Sequence, residues 1–319
     1  MLSIGSKNYM SIFTNKFMLI ISVIVTTYNS HESIGRTLNS IFRQKGNNAD
    51  FKLEVLVADD CSTDNTLSII KKYPVKFFVN NKNSGGPNKG RNTGLEEATG
   101  DFICIVDHDD EWKEDKLITQ LQYIHNTPII TSGQTIVNLN DNKSFDRVSI
   151  STKEFILYSK NEIFCAKLSR SAPSPNTYLG STLYSKQLKE IYFEEHFGMI
   201  DSDWMLKLYH QNTSIEICKS LYNRYIKSNN LSLNKSYRKN DYYYSLLTLE
   251  EYEDQYPDLV KQGYLRIQAS RAKYFYLIGD MKNARKYFLK SKMSFKNIAY
   301  YLSTFWGADM VKKKFNVFG

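Results

Sequence analysis

FICIVDHDDEW, residues 102 to 112, is the stretch that decides the fold. FICIV is a continuous apolar run with the length and composition of a buried β-strand. It leads directly into four acidic residues, Asp107, Asp109, Asp110 and Glu111. Carboxylates this close together repel one another unless a metal ion or nearby Lys and Arg offset their charge. The sequence therefore predicts concentrated negative charge at the end of a buried strand.

Three apolar runs of the same kind precede this stretch: MLIISVIV (18–25), LEVLVA (53–58) and VKFFV (75–79). Helix-like segments separate them. Strands that are continuously apolar, rather than alternating, are typical of a parallel sheet covered by helices on both faces. The sequence therefore predicts an α/β fold with a Rossmann-like, mostly parallel sheet. Such folds bind ligands at the carboxyl ends of their strands.

Polar residues stand where these strands end. Thr26 and Tyr28 follow the first strand, Asp59 and Asp60 end the second, and the acids of residues 107–110 end the fourth. At any one strand end they are explained equally well as turn and helix-capping residues. Because the carboxyl ends of parallel strands meet at one edge, three such groups together favour a shared binding crevice.

The loop NNKNSGGPNKGRNTG (80–94) narrows the choice of ligand. Gly85 and Gly86 allow close backbone approach, and Lys89 and Arg91 supply cations, although a mobile surface loop would have the same composition. The loop lacks GxxxxGK[ST], and no GxGxxG follows the first strand, which argues against kinase-like and dinucleotide-dependent chemistry. The D-x-D spacing suits Mg²⁺ or Mn²⁺, held by one or two carboxylates together with substrate phosphates.

Five blocks of sequence, in this order and spacing, resemble the family 2 glycosyltransferases of GT-A fold. They are SVIVTTYNS (22–30), LEVLVADDCSTDNTL (53–67), GGPNKGRNTGLEEATGDFICIVDHDDEW (85–112), YLGSTLYSK (178–186) and FGMIDSDWMLKL (197–208). The resemblance implies an inverting transfer of one hexosyl or N-acetylhexosaminyl group from a nucleotide-diphosphate sugar, expected to be a UDP-sugar. The expected acceptor is a glycan or lipid-linked hydroxyl, in bacterial capsule, lipopolysaccharide or other surface polysaccharide synthesis. The alternative is a noncatalytic nucleotide-sugar or glycan binding protein of the same fold.

The resemblance also implies a donor site. Its residues match the family's nucleotide-sugar-binding positions: Thr26, Tyr28, Asp59, Asp60, Arg91, Asp107 and Asp109. Thr26 and Tyr28 would line the pocket for the base, Asp60 would hydrogen-bond it with Asp59 alongside, and Arg91 would face the diphosphate.

The metal motif has its own expected roles. Asp107 and Asp109 match the family's D-x-D, and Asp109 and Asp110 are the expected metal ligands. The division of roles among the three aspartates stays open. Glu111 falls outside the motif and is interpreted as the start of the next helix.

Asp201 falls where the family places its catalytic base. A base is required because the acceptor hydroxyl loses its proton as it attacks the anomeric carbon. Ile200 stands where relatives often carry a second acid, and Asp203 competes for the role; a helix N-terminal acid favoured by the dipole is the structural alternative. Tyr225 and Lys227 stand where many relatives have an Arg and a His near the diphosphate. There is no QxxRW motif, so one sugar per encounter is expected.

The domain prediction has three parts. Residues 1–16 form an extension, 17–240 the GT-A domain (17–110 the nucleotide-binding half and 111–240 the acceptor half), and 241–319 a basic helical region. No family module for nucleic acid is recognised, and no nucleic-acid partner is expected.

The net charge of +9 is concentrated at the carboxyl end. Residues 1–260 hold 29 Lys and Arg against 31 Asp and Glu, and residues 261–319 hold 13 against 2. One helical face there is predicted to be apolar: Phe295, Ile298, Ala299, Leu302, Phe305 and Trp306. A basic helix of this kind favours peripheral contact with a membrane; packing on the catalytic domain or on another subunit is the alternative. The four cysteines form no CxxC pair, and a cytoplasmic location at the inner membrane face is expected.

Overall fold

The computed structural model describes residues 18–171, 175–226 and 235–307. The predicted extension at 1–16 and Lys227 lie outside these ranges. Within them, ten strands form one sheet: β1 Leu19–Thr27, β2 Phe51–Asp59, β3 Lys76–Val79, β4 Phe102–Asp107, β5 Glu111–Trp112, β6 Ile129–Asn138, β7 Lys143–Arg147, β8 Phe155–Tyr158, β9 Leu183–Ser185 and β10 Ser214–Ile226. The α-helices in the same ranges are α1 Ile34–Phe42, α2 Thr66–Ile70, α3 Asn88–Glu97, α4 Lys116–Leu121, α5 Glu162–Leu168, α6 Ser202–Tyr209, α7 Lys235–Glu250, α8 Pro257–Leu277, α9 Met281–Lys290 and α10 Phe295–Ser303.

The amino-terminal half of the sheet is parallel, in the order β3-β2-β1-β4. Its register places Thr26 opposite Asp107 of β4, and Thr27 opposite Asp59 of β2. The polar residues predicted to share a crevice therefore lie side by side at the carboxyl edge. The four strands read from apolar runs are confirmed, and with them the α/β, GT-A-like class.

The second half of the sheet is mixed. β9 runs antiparallel to both β4 and β6, whereas β6 and β10 are parallel. The expectation that Glu111 opens a helix is wrong. Glu111 and Trp112 form β5, antiparallel to β10, and the Trp112 amide donates to Ser40 Oγ at 3.0 Å. Pairing with a strand more than a hundred residues away decides this conformation, and local composition does not reveal it.

Helices cover both faces of the sheet because alternate residues of β1 point to opposite sides. Val23 and Val25 pack with Ile34 and Leu38 of α1, while Ile24 packs with a second cluster that includes Leu95, Phe164 and Trp204. These side chains are almost fully buried, and each contributes about 1.5–3 kcal/mol by leaving water. Two apolar layers thus hold the carboxyl edge in place.

The carboxyl-terminal helices are anchored on the α/β domain. Leu249, Tyr252, Val260 and Ile267 belong to the same buried cluster as Trp204. A Cβ at Gly263 would overlap the carbonyl of Leu168, so α8 lies directly on the end of α5. α7 begins ahead of the predicted boundary at residue 241.

α9 and α10 are attached more loosely. They share a small buried cluster with α8, and the apolar side chains predicted for one face of α10 point to solvent: Phe295, Ile298, Leu302, Phe305 and Trp306. No helix in the described ranges is long and apolar enough to cross a membrane.

Candidate active site at the carboxyl edge of the sheet

The end of β2 carries two aspartates that the protein already orients. Asp59 accepts hydrogen bonds from the amide of Ser62 at 2.8 Å and from its hydroxyl at 2.5 Å. Asp60 accepts from Asn80 Nδ2 at 2.7 Å and from the Ser84 amide at 3.0 Å. Both carboxylates are buried, so their direction is set before any ligand arrives.

The two residues at the end of β1 that are predicted to line a base pocket, Thr26 and Tyr28, differ in exposure. Tyr28 is 44% exposed at the rim of the crevice, where a flat ligand could stack on it. Thr26 is buried beneath α3; a Cβ at Gly90 would lie 3.2 Å from its methyl group. The structure thus brings both to the same edge, with Thr26 as its floor.

Asp107 is paired with a buried arginine. Arg91 Nη2 donates to Asp107 Oδ1 at 2.9 Å, and the Arg91 side chain is only 3% exposed. Burial alone would raise the pKa of Asp107, but the Arg91 guanidinium holds it below its ordinary value. Arg91 was expected to face the diphosphate; in this geometry it acts on the crevice through Asp107.

Asp109 and Asp110 lie in a tight turn clamped by α1. Arg36 Nη2 donates to the Asp109 carbonyl at 2.7 Å, and Thr37 Oγ1 donates to the Asp110 carbonyl at 2.7 Å. Burial raises the pKa of Asp110 well above its ordinary value, and repulsion from Asp107 and Asp109 adds to this. Burial and Asp107 likewise raise the pKa of Asp109.

These two carboxylates fit a divalent metal. The described residues contain no group of three His, Cys, Asp or Glu side chains arranged to hold one. Mg²⁺ and Mn²⁺ are, however, commonly bound by one or two protein carboxylates together with substrate phosphates. Asp109 and Asp110 supply hard oxygen ligands whose ionised forms are disfavoured without a cation, which is the donor set such a site needs.

Arg224 on β10 is a functional candidate that the motifs did not reveal. Burial would lower its pKa, but Tyr222, Asp110 and Asp107 raise it, which places its guanidinium among the acids. Side chains alternate between the two faces of β10, so Arg224 shares a face with Tyr222. The Tyr225 hydroxyl points the other way and donates to Glu111 at 2.5 Å. The alternation of side chains along a strand could have identified Arg224 from the sequence.

Asp201 and Asp203, the two candidates for a base, have different surroundings. Asp201 is the residue before α6, half-buried, and its side chain makes no capping hydrogen bond. Asp203 is fully buried, with Lys207 Nζ 3.6 Å away, and burial raises its pKa to about 6. Only Asp201 is accessible to a substrate hydroxyl.

Asn88 links the metal motif to the segment that carries Asp201. Its Oδ1 accepts from Arg91 Nη1 at 3.0 Å, so Asp107, Arg91 and Asn88 form one chain of hydrogen bonds. Its Nδ2 donates to the carbonyls of Glu194 at 3.0 Å and Ile200 at 2.9 Å. The peptide bond before Asp201 is thereby tied to the floor of the acid cluster.

A cleft of about 280 Å³ opens between the glycine loop and this segment. Gly86 packs against Gly198 so closely that a Cβ at position 86 would overlap the Gly198 carbonyl. His196, Phe197 and Tyr237 contribute rings to the lining. The cleft has the mixed aromatic and polar walls that suit a sugar ring.

Comparisons with known proteins agree with the fold. A protein-family profile, Glycosyl transferase family 2, matches residues 22–186. Poly(ribitol-phosphate) beta-N-acetylglucosaminyltransferase TarS of Staphylococcus aureus (strain Mu50 / ATCC 700699) is 41% identical over 127 residues, covering 38% of this chain and 22% of TarS. TarP, of the same description, from S. aureus (strain N315) is 26% identical over 301 residues, covering 89% of this chain and 86% of TarP.

The fold also has a solved counterpart. The crystal structure of S. aureus TarS 1–349 in complex with UDP-GlcNAc superimposes with a TM-score of 0.61 at 23% identity, covering 90% of this chain and 79% of that one. The match to the full TarS sequence spans less than a quarter of that protein. The likeness in structure concerns the fold.

Proposed function

Because this chain belongs to glycosyl transferase family 2, we propose that it moves one sugar, with inversion, from a UDP-sugar to a hydroxyl of a bacterial cell-surface glycan. The observation that carries the proposal is the chain of hydrogen bonds joining Asp107 to the peptide before Asp201 through Arg91 and Asn88. It sets an acid cluster suited to a diphosphate and an accessible carboxylate in a fixed relation.

In the proposed reaction Asp201 accepts the proton of the acceptor hydroxyl as that oxygen attacks the anomeric carbon. The new C–O bond forms while the bond from the anomeric carbon to the diphosphate breaks, and UDP leaves with the electron pair. Asp60 and Asp59, with Thr26 and Tyr28, would bind the nucleoside. Their preset directions favour binding because little ordering is left to be done.

We propose that Asp109 and Asp110 hold Mg²⁺ or Mn²⁺, with Asp107 kept ionised by Arg91. When bound, the metal would offset the negative charge of the departing diphosphate. Arg224 on β10 supplies a further positive charge. It takes the place of the Arg that many relatives carry where this chain has Tyr225.

The names of the relatives guide the choice of substrates. TarS and TarP are both poly(ribitol-phosphate) beta-N-acetylglucosaminyltransferases, and the related crystal structure contains UDP-GlcNAc. We therefore propose a UDP-N-acetylhexosamine as the first donor to test, followed by UDP-hexoses. The proposed acceptor is an anionic polyol-phosphate glycan, free or lipid-linked.

We also propose that α10 holds the enzyme at the inner face of the membrane. Phe295 at the start of α10 is 91% exposed and Trp306 just after it is 74% exposed, and Lys292 and Lys296 are close to Phe295 in the sequence. Aromatic rings and lysines together suit an anionic bilayer surface. Co-sedimentation with phosphatidylglycerol vesicles should weaken in Phe295→Ser/Trp306→Ser; unchanged sedimentation, or a loss of self-association instead, would assign this face to another partner.

A donor panel tests the central proposal. Release of the nucleoside diphosphate is measured with UDP-, dTDP- and GDP-sugars, with and without Mg²⁺ or Mn²⁺, in the presence of a ribitol phosphate oligomer. UDP release that depends on acceptor and metal is expected. Donor binding without release across the whole panel would make the chain a noncatalytic nucleotide-sugar binder.

A further inference from the structure

A second, smaller pocket lies where α7 and α8 meet the end of α5. It has a volume of about 30 Å³. A single water needs about 10–15 Å³, so there is room for a small group of atoms such as one oxyanion. Its polar lining is dominated by three arginines: Arg170, Arg238 and Arg271.

The charges of this arginine pocket are unbalanced. Asp241 is the one carboxylate in its lining, and no ion pair joins any of the three guanidinium groups to a described residue. Net positive charge in a confined place is unfavourable unless an anion offsets it.

The hydrogen-bonding capacity of the pocket is also incomplete. Arg170 Nη2 donates to Ser245 Oγ at 2.6 Å, and Arg271 Nη1 donates to the Arg238 carbonyl at 2.9 Å. Arg271 Nε is buried and has no hydrogen-bond partner, although the guanidinium lies over the rings of Tyr242, Tyr274 and Phe275. The Arg238 side chain makes no hydrogen bond to any residue that the structure describes. Guanidinium groups with free donors match the oxygens of phosphate.

The arginine pocket is joined to the cleft near the proposed base by α7, which supplies Tyr237 to the cleft and Arg238 to the pocket. The charge of Asp201 acts on Asp241, which lines the pocket, and on Lys167 of α5. Burial lowers the pKa of Lys167 to about 8; Asp201 opposes this shift and Arg170 adds to it. The pocket is built from α7, α8 and the residues that follow α5, all of which come after the nucleotide-binding half in the sequence.

We propose that the arginine pocket binds one phosphate group of the acceptor and so sets which hydroxyl reaches Asp201. This rests on the proposed function, in which Asp201 is the base. The bonding is ionic, with no covalent step. The arginines thereby select acceptors that carry an oxyanion near the hydroxyl to be glycosylated.

Arg238→Gln is the sharpest test because it removes a charge without breaking a side-chain hydrogen bond or close ion pair to any described residue. With a ribitol phosphate oligomer as acceptor, we expect the acceptor KM to rise by roughly 10- to 100-fold, the loss typical of one charge-assisted hydrogen bond. The donor KM should stay within about twofold. Inorganic phosphate should compete with the acceptor and not with the donor, and this inhibition should weaken in the variant.

Lys239→Gln is the matched control. Lys239 is the next residue of α7, exposed and outside the pocket lining, and its loss removes the same charge. An equal effect of both variants, or an equal rise in donor and acceptor KM, would overturn the subsite.

Phosphate binding, measured directly, tests the subsite independently of whether the protein is a glycosyltransferase. Titration with sodium phosphate, against sodium chloride at equal ionic strength, should detect binding to the wild type and to Lys239→Gln, but not to Arg238→Gln, even if no donor is ever turned over. Bound phosphate that the ribitol phosphate oligomer fails to displace would show a site for the free ion, and the acceptor role would be wrong. No phosphate binding would overturn the subsite and leave the donor panel to decide the function.

Discussion

Three aspartates of the donor edge, apart from Asp109 and Asp110 of the proposed metal site, differ from the arginine pocket in how their charge is matched. At the donor edge Asp59, Asp60 and Asp107 each have a protein partner: Ser62, Asn80 and Arg91 respectively. In the arginine pocket three guanidinium groups face one carboxylate and form no ion pair with a described residue. A site that completes its own hydrogen bonds is preorganised, whereas a site left with unmatched charge needs its ligand to complete it. Substitutions should therefore disturb catalysis at the first and acceptor affinity at the second.

The largest effect is expected at Asp201. Asp201→Asn keeps the size of the side chain and removes its ability to accept a proton. Turnover should fall by roughly 10²- to 10⁴-fold with UDP affinity unchanged. The measurement is single-turnover transfer alongside UDP titration. Normal turnover would mean that another group is the base. It would also weaken the distinction between substitutions that affect catalysis and those that affect acceptor affinity.

Asn88→Ala should have the next largest effect. It leaves the Ile200 carbonyl without its donor, the Glu194 carbonyl with only the Phe197 amide, and Arg91 without one acceptor. Each buried group left unpaired costs about 1–3 kcal/mol. We expect kcat to fall by roughly 10- to 100-fold with a smaller change in donor KM, because the peptide before Asp201 loses its fixed position.

Asn92→Ala is the control for that variant. Asn92 is as deeply placed and also ties α3 to the later segment, through the carbonyl and amide of Phe193. Its hydrogen bonds reach neither Arg91 nor Ile200. Both variants should lose comparable stability in urea denaturation. Equal losses of kcat would reduce Asn88 to a purely structural role.

The smallest effect concerns the pH dependence of stability. The pKa of Asp203 is raised by burial to about 6, above the value of 3.8 for an ordinary aspartate. Between about pH 4 and pH 6 the folded protein therefore keeps a proton that the unfolded chain has lost, so stability falls as pH rises through this window. At about 1.4 kcal/mol per pH unit the loss reaches at most ~3 kcal/mol.

Asp203→Asn should remove that loss, and the exposed Asp254→Asn should not. The measurement is the urea midpoint at several pH values from 4 to 7. If wild type and Asp203→Asn show parallel curves, Asp203 is ionised throughout, and it would have to be reconsidered as a competitor of Asp201.

Sequence patterns predicted the donor half well because its signals are local and redundant. β1, β2 and β4 are continuous apolar runs, and each ends in polar residues, so the parallel register follows from the fold class. The proposed metal ligands and the proposed base Asp201 rest on an ordered series of blocks, and no single block would have supported them; these roles stay predictions.

The acceptor half was harder because long-range pairing decides it. Glu111 becomes a strand only through its partner Asn223, and the position of Arg224 depends on β10 lying beside the acids. The arginine pocket draws on α5, α7 and α8, whose arginines are far apart in sequence and look like ordinary surface charge until the helices pack. Lys227 and the segment around it fall outside the described residues, so the expected departure there from the relatives' diphosphate contact stays a prediction.

The contact between Gly86 and Gly198 has an evolutionary consequence. Neighbouring Gly85 is left-handed, with a φ of 86°, and has open space around it, so Asn or Asp should be acceptable there at modest cost. Gly86 has no room for any side chain, because the glycine loop and the segment before Asp201 touch backbone to backbone. A side chain at position 86 therefore requires the backbone at Gly198 to move away. In related sequences, substitutions at positions 86 and 198 should occur together.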